Sequence, residues 1–306
     1  MMTSQLLMIR PVNFGFNGQT AESNAFQKNG GQAEVQQKAL YEFDVFVKVL
    51  RANGVEVKVI DDTPEPHTPD SIFPNNWISF HENGSVFLYP MLAENRRLER
   101  KVFRSIKEAF EIGQVFDLSY FEQQNQFLEG TGSMVLDREN KLAYACLSPR
   151  TNADVLQEFC RLSGYKTVLF HAADQSGKAI YHTNVLMALG DQFAVICLDS
   201  IQNNNEKSTV KEALAKSGKE IVEISLEQMN AFAGNMLQLK NISGENLLVM
   251  SETAFLSLKE AQIKKLEKYC RSIYSPLNTI ETNGGGSARC MMAEVFLPVK
   301  TASAKA

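Results

Sequence analysis

Five segments of this chain align on one another at a nearly constant interval, and that repeat constrains the fold more than any other feature. SIFPNNWISF, EGTGSMVLD, IYHTNVLMAL, FAGNMLQLK and GGSARCMMAEV place Trp77, Met134, Val185, Met236 and Cys290 in one column, at spacings of 57, 51, 51 and 54 residues. The order around each copy is the same: an amphipathic helix, a strand-like run, a polar loop, a second strand and, in four copies, a turn into a third. Helical stretches fall at 33–52, 96–111, 152–163, 206–217 and 257–272, and strand-like runs at 55–60, 114–121, 166–170, 219–226 and 274–281. The turns at 82–84, 138–141, 190–192 and 243–246 carry the Gly, Asn and Asp that hairpins use.

A supersecondary unit that cannot bury its apolar face alone is stabilised by stacking on its copies. The sequence therefore predicts an α/β fold, a five-bladed α/β propeller forming one domain over residues 1–306. The fifth copy has no third strand after AEVFLP, so the N-terminal LLMIRP is expected to fill the gap and close the ring. A composition of 44% hydrophobic and 22% charged residues supports a substantial core. The net charge of -4 offers no basic footprint for nucleic acid. No apolar run reaches the roughly 18 residues of a membrane span, and MMTSQLLMIRPVNF is too briefly apolar for a signal peptide. A cytosolic protein acting on a small molecule is expected, with a homo-oligomer left open.

The five cysteines are widely spaced and form no CxxC, which argues against a disulfide framework or a zinc site. Cys146, Cys160, Cys197 and Cys270 lie in apolar segments and read as small buried side chains, whereas Cys290 follows a glycine-rich loop. Residues opening the column strands should face a common centre. Asn75 and Asn76, Glu129 with Gly130, His182 and Asn184, Asn235, and Cys290 stand there. A thiol, an imidazole and a carboxylate delivered by three blades suit nucleophilic attack on a planar carbon: Cys290 as nucleophile, His182 to move its proton, Glu129 to orient the imidazole. No metal or organic cofactor is implied.

The motifs PDSIFPNNW (69–77), EGTGS (129–133), LSPRTN (147–152), YHTNV (181–185) and GGGSARCM (284–291) resemble the guanidine-modifying enzymes, or penteins. That superfamily includes dimethylarginine dimethylaminohydrolase, arginine deiminase, amidinotransferases and succinylarginine dihydrolase, and its fold is the five-bladed α/β propeller. The overall pattern is most similar to the citrulline hydrolase group. The resemblance implies Cys290 as covalent nucleophile, His182 as general acid/base and Glu129 beside the reacting nitrogens. It also implies Arg150 and Arg96 as holders of a substrate α-carboxylate, Asp70 near the substrate, and Phe73 of the same motif as a substrate-binding residue.

Two departures bear on the substrate. Where arginine deiminases clamp a guanidinium with carboxylates, this chain carries Asn76 and Asn184. A buried cation left with fewer charged partners is costly, so the two carboxamides suit a neutral ureido group. The expected reaction is citrulline to ornithine, carbon dioxide and ammonia through a covalent Cys290 intermediate. Arginine-type deimination or dihydrolysis, amidino transfer and a non-catalytic binding protein on the same fold stay open. His67 and His81 read as surface residues, and His171 is the alternative base.

Overall fold

The computed structural model describes residues 2–29 and 34–300, and in it the chain forms five sheets of three strands each. The first contains Ile78–Phe80, Ser85–Leu88 and Gln114–Asp117, and the second Val135–Asp137, Leu142–Cys146 and Lys166–Phe170. The third contains Met187–Leu189, Phe193–Ile196 and Glu220–Glu223, and the fourth Leu237–Lys240, Asn246–Ser251 and Arg271–Ser275. In each, the first two strands form an antiparallel hairpin and the third lies parallel to the second. A parallel neighbour requires a crossover, and the repeated helix supplies it. Helix Ala153–Ser163 is representative: Asn152 caps it by accepting from Asp154 N and Val155 N, Val155, Leu156, Phe159 and Cys160 form its buried face, and Gly164 ends it at φ 76°.

The fifth sheet joins the two ends of the fold. Ala293–Val295 pairs antiparallel with Gln5–Arg10, which runs parallel to Glu56–Asp61. The N-terminal strand is thus the middle strand of its blade, in the place left by the incomplete fifth repeat. Its run Leu6, Leu7, Met8 and Ile9 is buried throughout, as a strand covered on both faces requires. This is the α/β propeller that the repeat predicts.

Ala293–Val295 touches Ile78–Phe80, and Met187–Leu189 touches both Val135–Asp137 and Leu237–Lys240, so first strands of neighbouring blades meet at these places. Each blade enters its first strand through a single tight turn: Pro74–Asn76, Gly130–Ser133, Thr183–Leu186, 231–234 and Ala288–Met291. Several of these turns pack on one another, so the residues they carry converge. Trp77, Met134 and Met236 stand immediately before their strands, while Val185 and Cys290 stand slightly further upstream of theirs.

The element boundaries differ from the sequence reading in several places. The first helix runs Val35–Ala52, and residue 33 of the expected stretch lies outside the described residues. The expected helix 257–272 is two helices, Glu252–Ser257 and Glu260–Leu266, because the backbone is extended at Leu258 and Lys259. The expected strand 274–281 is instead the strand Arg271–Ser275 followed by helix Asn278–Gly284. Pro276 offers no ladder donor, and the Glu42 carboxylate accepts from Thr279 N and Ile280 N, satisfying the new helix's first turn. The runs 114–121 and 219–226 end as strands at Asp117 and Glu223, where Asp117 Oδ1 accepts from Ser119 N and a Ser225–Gln228 capping box starts a helix. His81 is buried, not on the surface, among Phe87, Phe159 and Tyr165, with Nε2 2.9 Å from Ser79 Oγ. Among the described residues no helix is long and apolar enough to cross a membrane.

Closure through the N-terminal strand makes a direct stability prediction. Leu7→Ala should lower the unfolding free energy by about 2–5 kcal/mol in urea titration, whereas Leu256→Ala, at a side chain 73% exposed, should change it by less than about 0.5 kcal/mol.

Candidate active site

Glu129 is completely buried and is the meeting point of three blades. Its Oε2 lies 2.8 Å from His182 Nε2, 3.4 Å from Arg150 Nη1 and 3.8 Å from Arg96 Nη1, while Oε1 accepts from Leu92 N at 3.1 Å. Its own backbone is held by Ser133 Oγ, which accepts from Glu129 N at 2.9 Å and donates to Arg150 O at 2.7 Å. Gly130 adopts φ 48°, and an added Cβ would strike the Asn76 backbone, so this turn tolerates only glycine. His182 is placed by Thr183, whose hydroxyl donates to Ser133 O at 2.6 Å and accepts from Cys146 N at 2.8 Å.

These charges have defined protonation states. Burial opposes ionisation of Glu129, but Arg150, the His182 hydrogen bond and Arg96 outweigh it and hold the carboxyl far below its usual range. Burial pushes His182 down to about 4 against the pull of Glu129, with Arg150 and Arg96 adding to the depression. The pair is therefore an ionised carboxylate and a neutral imidazole. A carboxylate only accepts, so Nε2 carries the proton and Nδ1 is left as the basic nitrogen. Nδ1 faces Gly132, where an added Cβ would approach it to 2.7 Å; the absent side chain leaves that nitrogen uncovered.

Cys290 and His182 line one small, nearly filled cavity with Asp70, Phe73, Asn76, Arg96, Arg150, Tyr181 and Gly284–Gly286. All five cysteines are unpaired and buried. What distinguishes Cys290 is its surroundings: Asn235 Nδ2 lies 3.3 Å and Asn184 Nδ2 3.6 Å from its sulfur. Burial instead pushes Cys146 and Cys270 up to about 12 and Cys160 up to about 11. The glycines beside Cys290 make room for Phe73 as well as for the cavity. A Cβ on Gly284 or Gly286 would approach that ring to 2.8–2.9 Å, and Gly285 is left-handed at φ 63°.

Both cavity arginines are engaged. Arg96 forms a two-pronged pair with Glu99 at 2.7 and 3.1 Å and donates from Nη1 to Asn76 Oδ1 at 2.9 Å. It is buried, not part of a solvated helix face. Arg150 donates to Ser23 Oγ and to Thr20 O and lies over the Tyr181 ring at 4.9 Å. Thr20 and Ser23 belong to a strap after the first strand. Asn17 Nδ2 of this strap donates to Asp70 Oδ2 at 2.7 Å, and Asn24 Nδ2 donates to Gly284 O and Gly285 O. Asp70 Oδ1, Asn76 Nδ2 and Asn184 Oδ1 are buried without a hydrogen-bond partner.

All nine residues expected to be catalytic or substrate-binding are buried, and eight of them meet at the one cavity or at its Glu129 corner. Asn184 does not line this cavity and instead reaches the Cys290 sulfur. His67 is exposed, and His171 is exposed and bound to Glu206 at 2.9 Å, away from the site. The strap residues Asn17, Thr20, Ser23 and Asn24, together with Glu99, escaped the sequence reading because they stand outside the repeat column. Among the described residues no group of three or more His, Cys, Asp or Glu could hold a metal ion.

The sequence profile of the eukaryotic N,N dimethylarginine dimethylhydrolase family matches residues 10–297. No curated protein matches the chain significantly. ArgZ, an arginine dihydrolase from the ornithine-ammonia cycle in cyanobacteria, superposes in its apo form with a TM-score of 0.76 at 16% identity. The match covers 97% of this chain and 41% of ArgZ, so the chain spans about two fifths of that protein. The N-terminal domain of ArgZ, covalently bound to a reaction intermediate, is covered to 99% and this chain to 96%, with a TM-score of 0.74 at 17% identity. A dimethylarginine dimethylaminohydrolase variant carrying an adduct with S-methyl-L-thiocitrulline gives 0.65 at 14% identity, over 96% of this chain and 100% of that one. At these identities the likeness establishes the fold.

The neutral imidazole has a thermodynamic consequence. Because burial lowers His182 from 6.5 to about 4, the unfolded chain binds a proton between these values that the folded chain does not. This contribution to stability is complete above pH 6.5 and is lost as pH falls toward 4, by at most about 3 kcal/mol. Urea unfolding between pH 7.5 and 4.5 should therefore show a shallower pH slope for His182→Gln than for the unaltered protein; equal slopes would mean a protonated His182 in the fold.

Proposed function

The chain belongs to the N,N dimethylarginine dimethylhydrolase family, within the guanidine-modifying (pentein) superfamily of hydrolases acting on carbon–nitrogen bonds, and from that premise we propose that it hydrolyses the ureido group of citrulline or a close relative. The observation that carries this reading is the orientation of the Asn76 amide. Its Oδ1 accepts from Arg96 Nη1, which can only donate, so Nδ2, buried and unpartnered beside Gly132, is the end of this cavity residue left free to donate. A guanidinium presents only N–H donors, whereas a ureido group presents a carbonyl oxygen to accept from Nδ2. Asn184, outside the cavity lining, acts on the Cys290 sulfur through Nδ2 at 3.6 Å. Phe73 walls the substrate stem. Arg150 takes the α-carboxylate once the strap bonds rearrange, Asp70 Oδ1 takes the α-ammonium, and Arg96 holds Asn76 in register.

In this mechanism Nδ1 of His182 takes the Cys290 proton and the thiolate attacks the ureido carbon. His182 returns the proton to the departing nitrogen, which leaves as ammonia, and an S-carbamoyl enzyme remains. One water then adds to the carbonyl carbon. His182 Nδ1 takes a proton from that water and passes it to the departing sulfur, and the released carbamate takes up a proton and loses carbon dioxide to give ornithine. Glu129 stays ionised throughout and stabilises the transient imidazolium.

A second reading, arginine dihydrolysis, is favoured by the charge balance. Three buried carboxyl groups, Asp70, Glu99 and Glu129, face two guanidinium groups beside a neutral His182, and burial raises Asp70 and pushes Glu99 up to about 8, so the site holds more acidic groups than its cations keep ionised. A cationic substrate would relieve that excess. Ammonia and ornithine release from citrulline, arginine and dimethylarginine separates the readings. Citrulline turnover is expected, with a loss of at least about 10³-fold in Cys290→Ser and about 10² in kcat/KM for citrulline in Asn76→Asp, which replaces the donor by an acceptor. If citrulline is inert while arginine turns over, the ureido reading falls; full activity of Cys290→Ser would remove the covalent mechanism.

A further inference from the structure

We propose that Asn235, on the turn of the fourth blade, is a catalytic residue that stabilises the Cys290 thiolate through a neutral amide. The proposal rests on Cys290 being the nucleophile and adds how its charge is held. The direction of the amide is fixed at its far end: Asn235 Oδ1 accepts from Arg289 N at 3.0 Å, and reversing it would set N–H against N–H. Nδ2 therefore faces the third and fifth blades, with one hydrogen for Asn184 O at 3.1 Å and the other for the Cys290 sulfur at 3.3 Å.

Cations do not fill this role in the structure. The Arg289 guanidinium, adjacent in sequence, is turned to Met292 O at 2.7 Å and Glu294 at 3.0 Å. His182 is bonded to Glu129. Among the described residues the side-chain donors to the sulfur are the Asn235 and Asn184 amides. Asn235 also serves the protonated thiol, since Sγ can donate to Oδ1 at 3.7 Å. One rigid carboxamide thus accepts from the thiol and donates to the thiolate, so removal of the proton requires no rearrangement of the neighbouring side chain. Asn235 stands in the repeat column beside Met236.

The test is the rate of Cys290 alkylation by iodoacetamide, read by peptide mass spectrometry at pH 7 and pH 10, with thermal unfolding as a check on the fold. In Asn235→Ala the rate at pH 7 should fall about ten-fold or more, and the deficit should narrow at pH 10, where a larger share of the thiol is ionised. Asn235→Asp keeps the shape and the acceptor for Arg289 N but sets an anion against the sulfur, so its rate at pH 7 should fall further. This variant also carries the test if Asn235→Ala fails to fold. Unchanged alkylation at pH 7, or an equal loss at both pH values, overturns the proposal, because the second result marks access and not charge. Cys290→Ala that still turns over substrate would overturn the nucleophile assignment, and the alkylation rates would decide the role of Asn235 separately.

Discussion

The site depends on the burial of one carboxylate. Glu129 has no contact with solvent, and a charge in that position must be answered from every side. Arg150, Arg96, His182 and Leu92 N each supply part of the answer. Because these groups come from different repeats, satisfying the charge also fixes the blades against one another. The same field determines the chemistry. Arg150, the His182 hydrogen bond and Arg96 together keep the carboxylate ionised, while burial leaves His182 neutral and able to accept a proton.

Polarity at the cavity is divided between charged and neutral groups. The fixed charges gather around Glu129 and Glu99, whereas the sulfur and the surface turned toward a reacting carbon are lined by carboxamides: Asn76, Asn184 and Asn235. An amide can be anchored at one end and offer the other, and Asn76 and Asn235 are both anchored by a donor that cannot accept, Arg96 Nη1 and Arg289 N. Their unlike ends then discriminate by hydrogen-bond direction, a selection that net charge alone does not provide.

The architecture was legible because the repeat imposes the same apolar pattern on every blade, and the closing strand followed from the one copy that lacked it. Boundaries were less legible where a distant side chain decides them: Glu42 starts the helix at Asn278, an interaction invisible in the local sequence. Cys290, His182 and Glu129 were selected by their place in the column, and the structure groups His182 with Glu129 directly. The strap could not be found that way. Asn17 and Thr20 lie between the first strand and helix Val35–Ala52, where no repeat marks them, and they meet Asp70 across 50 or more residues of sequence. His81 misled for a related reason: its hairpin position suggests solvent, but the aromatic rings of the second blade cover it.

The blade that carries Cys290 is also the blade in which the ends of the described chain meet, with Gln5 opposite Val295. Its middle strand is made before the other four blades and its first strand after them, so those blades can form while the fifth waits for its hairpin partner. The residues so paired are 290 apart in sequence, a separation that slows closure by topology. The turn that carries Cys290 is therefore held in its blade only once this long-range pair has formed. A nascent or partly folded chain carries all the reactive residues without the reactive site.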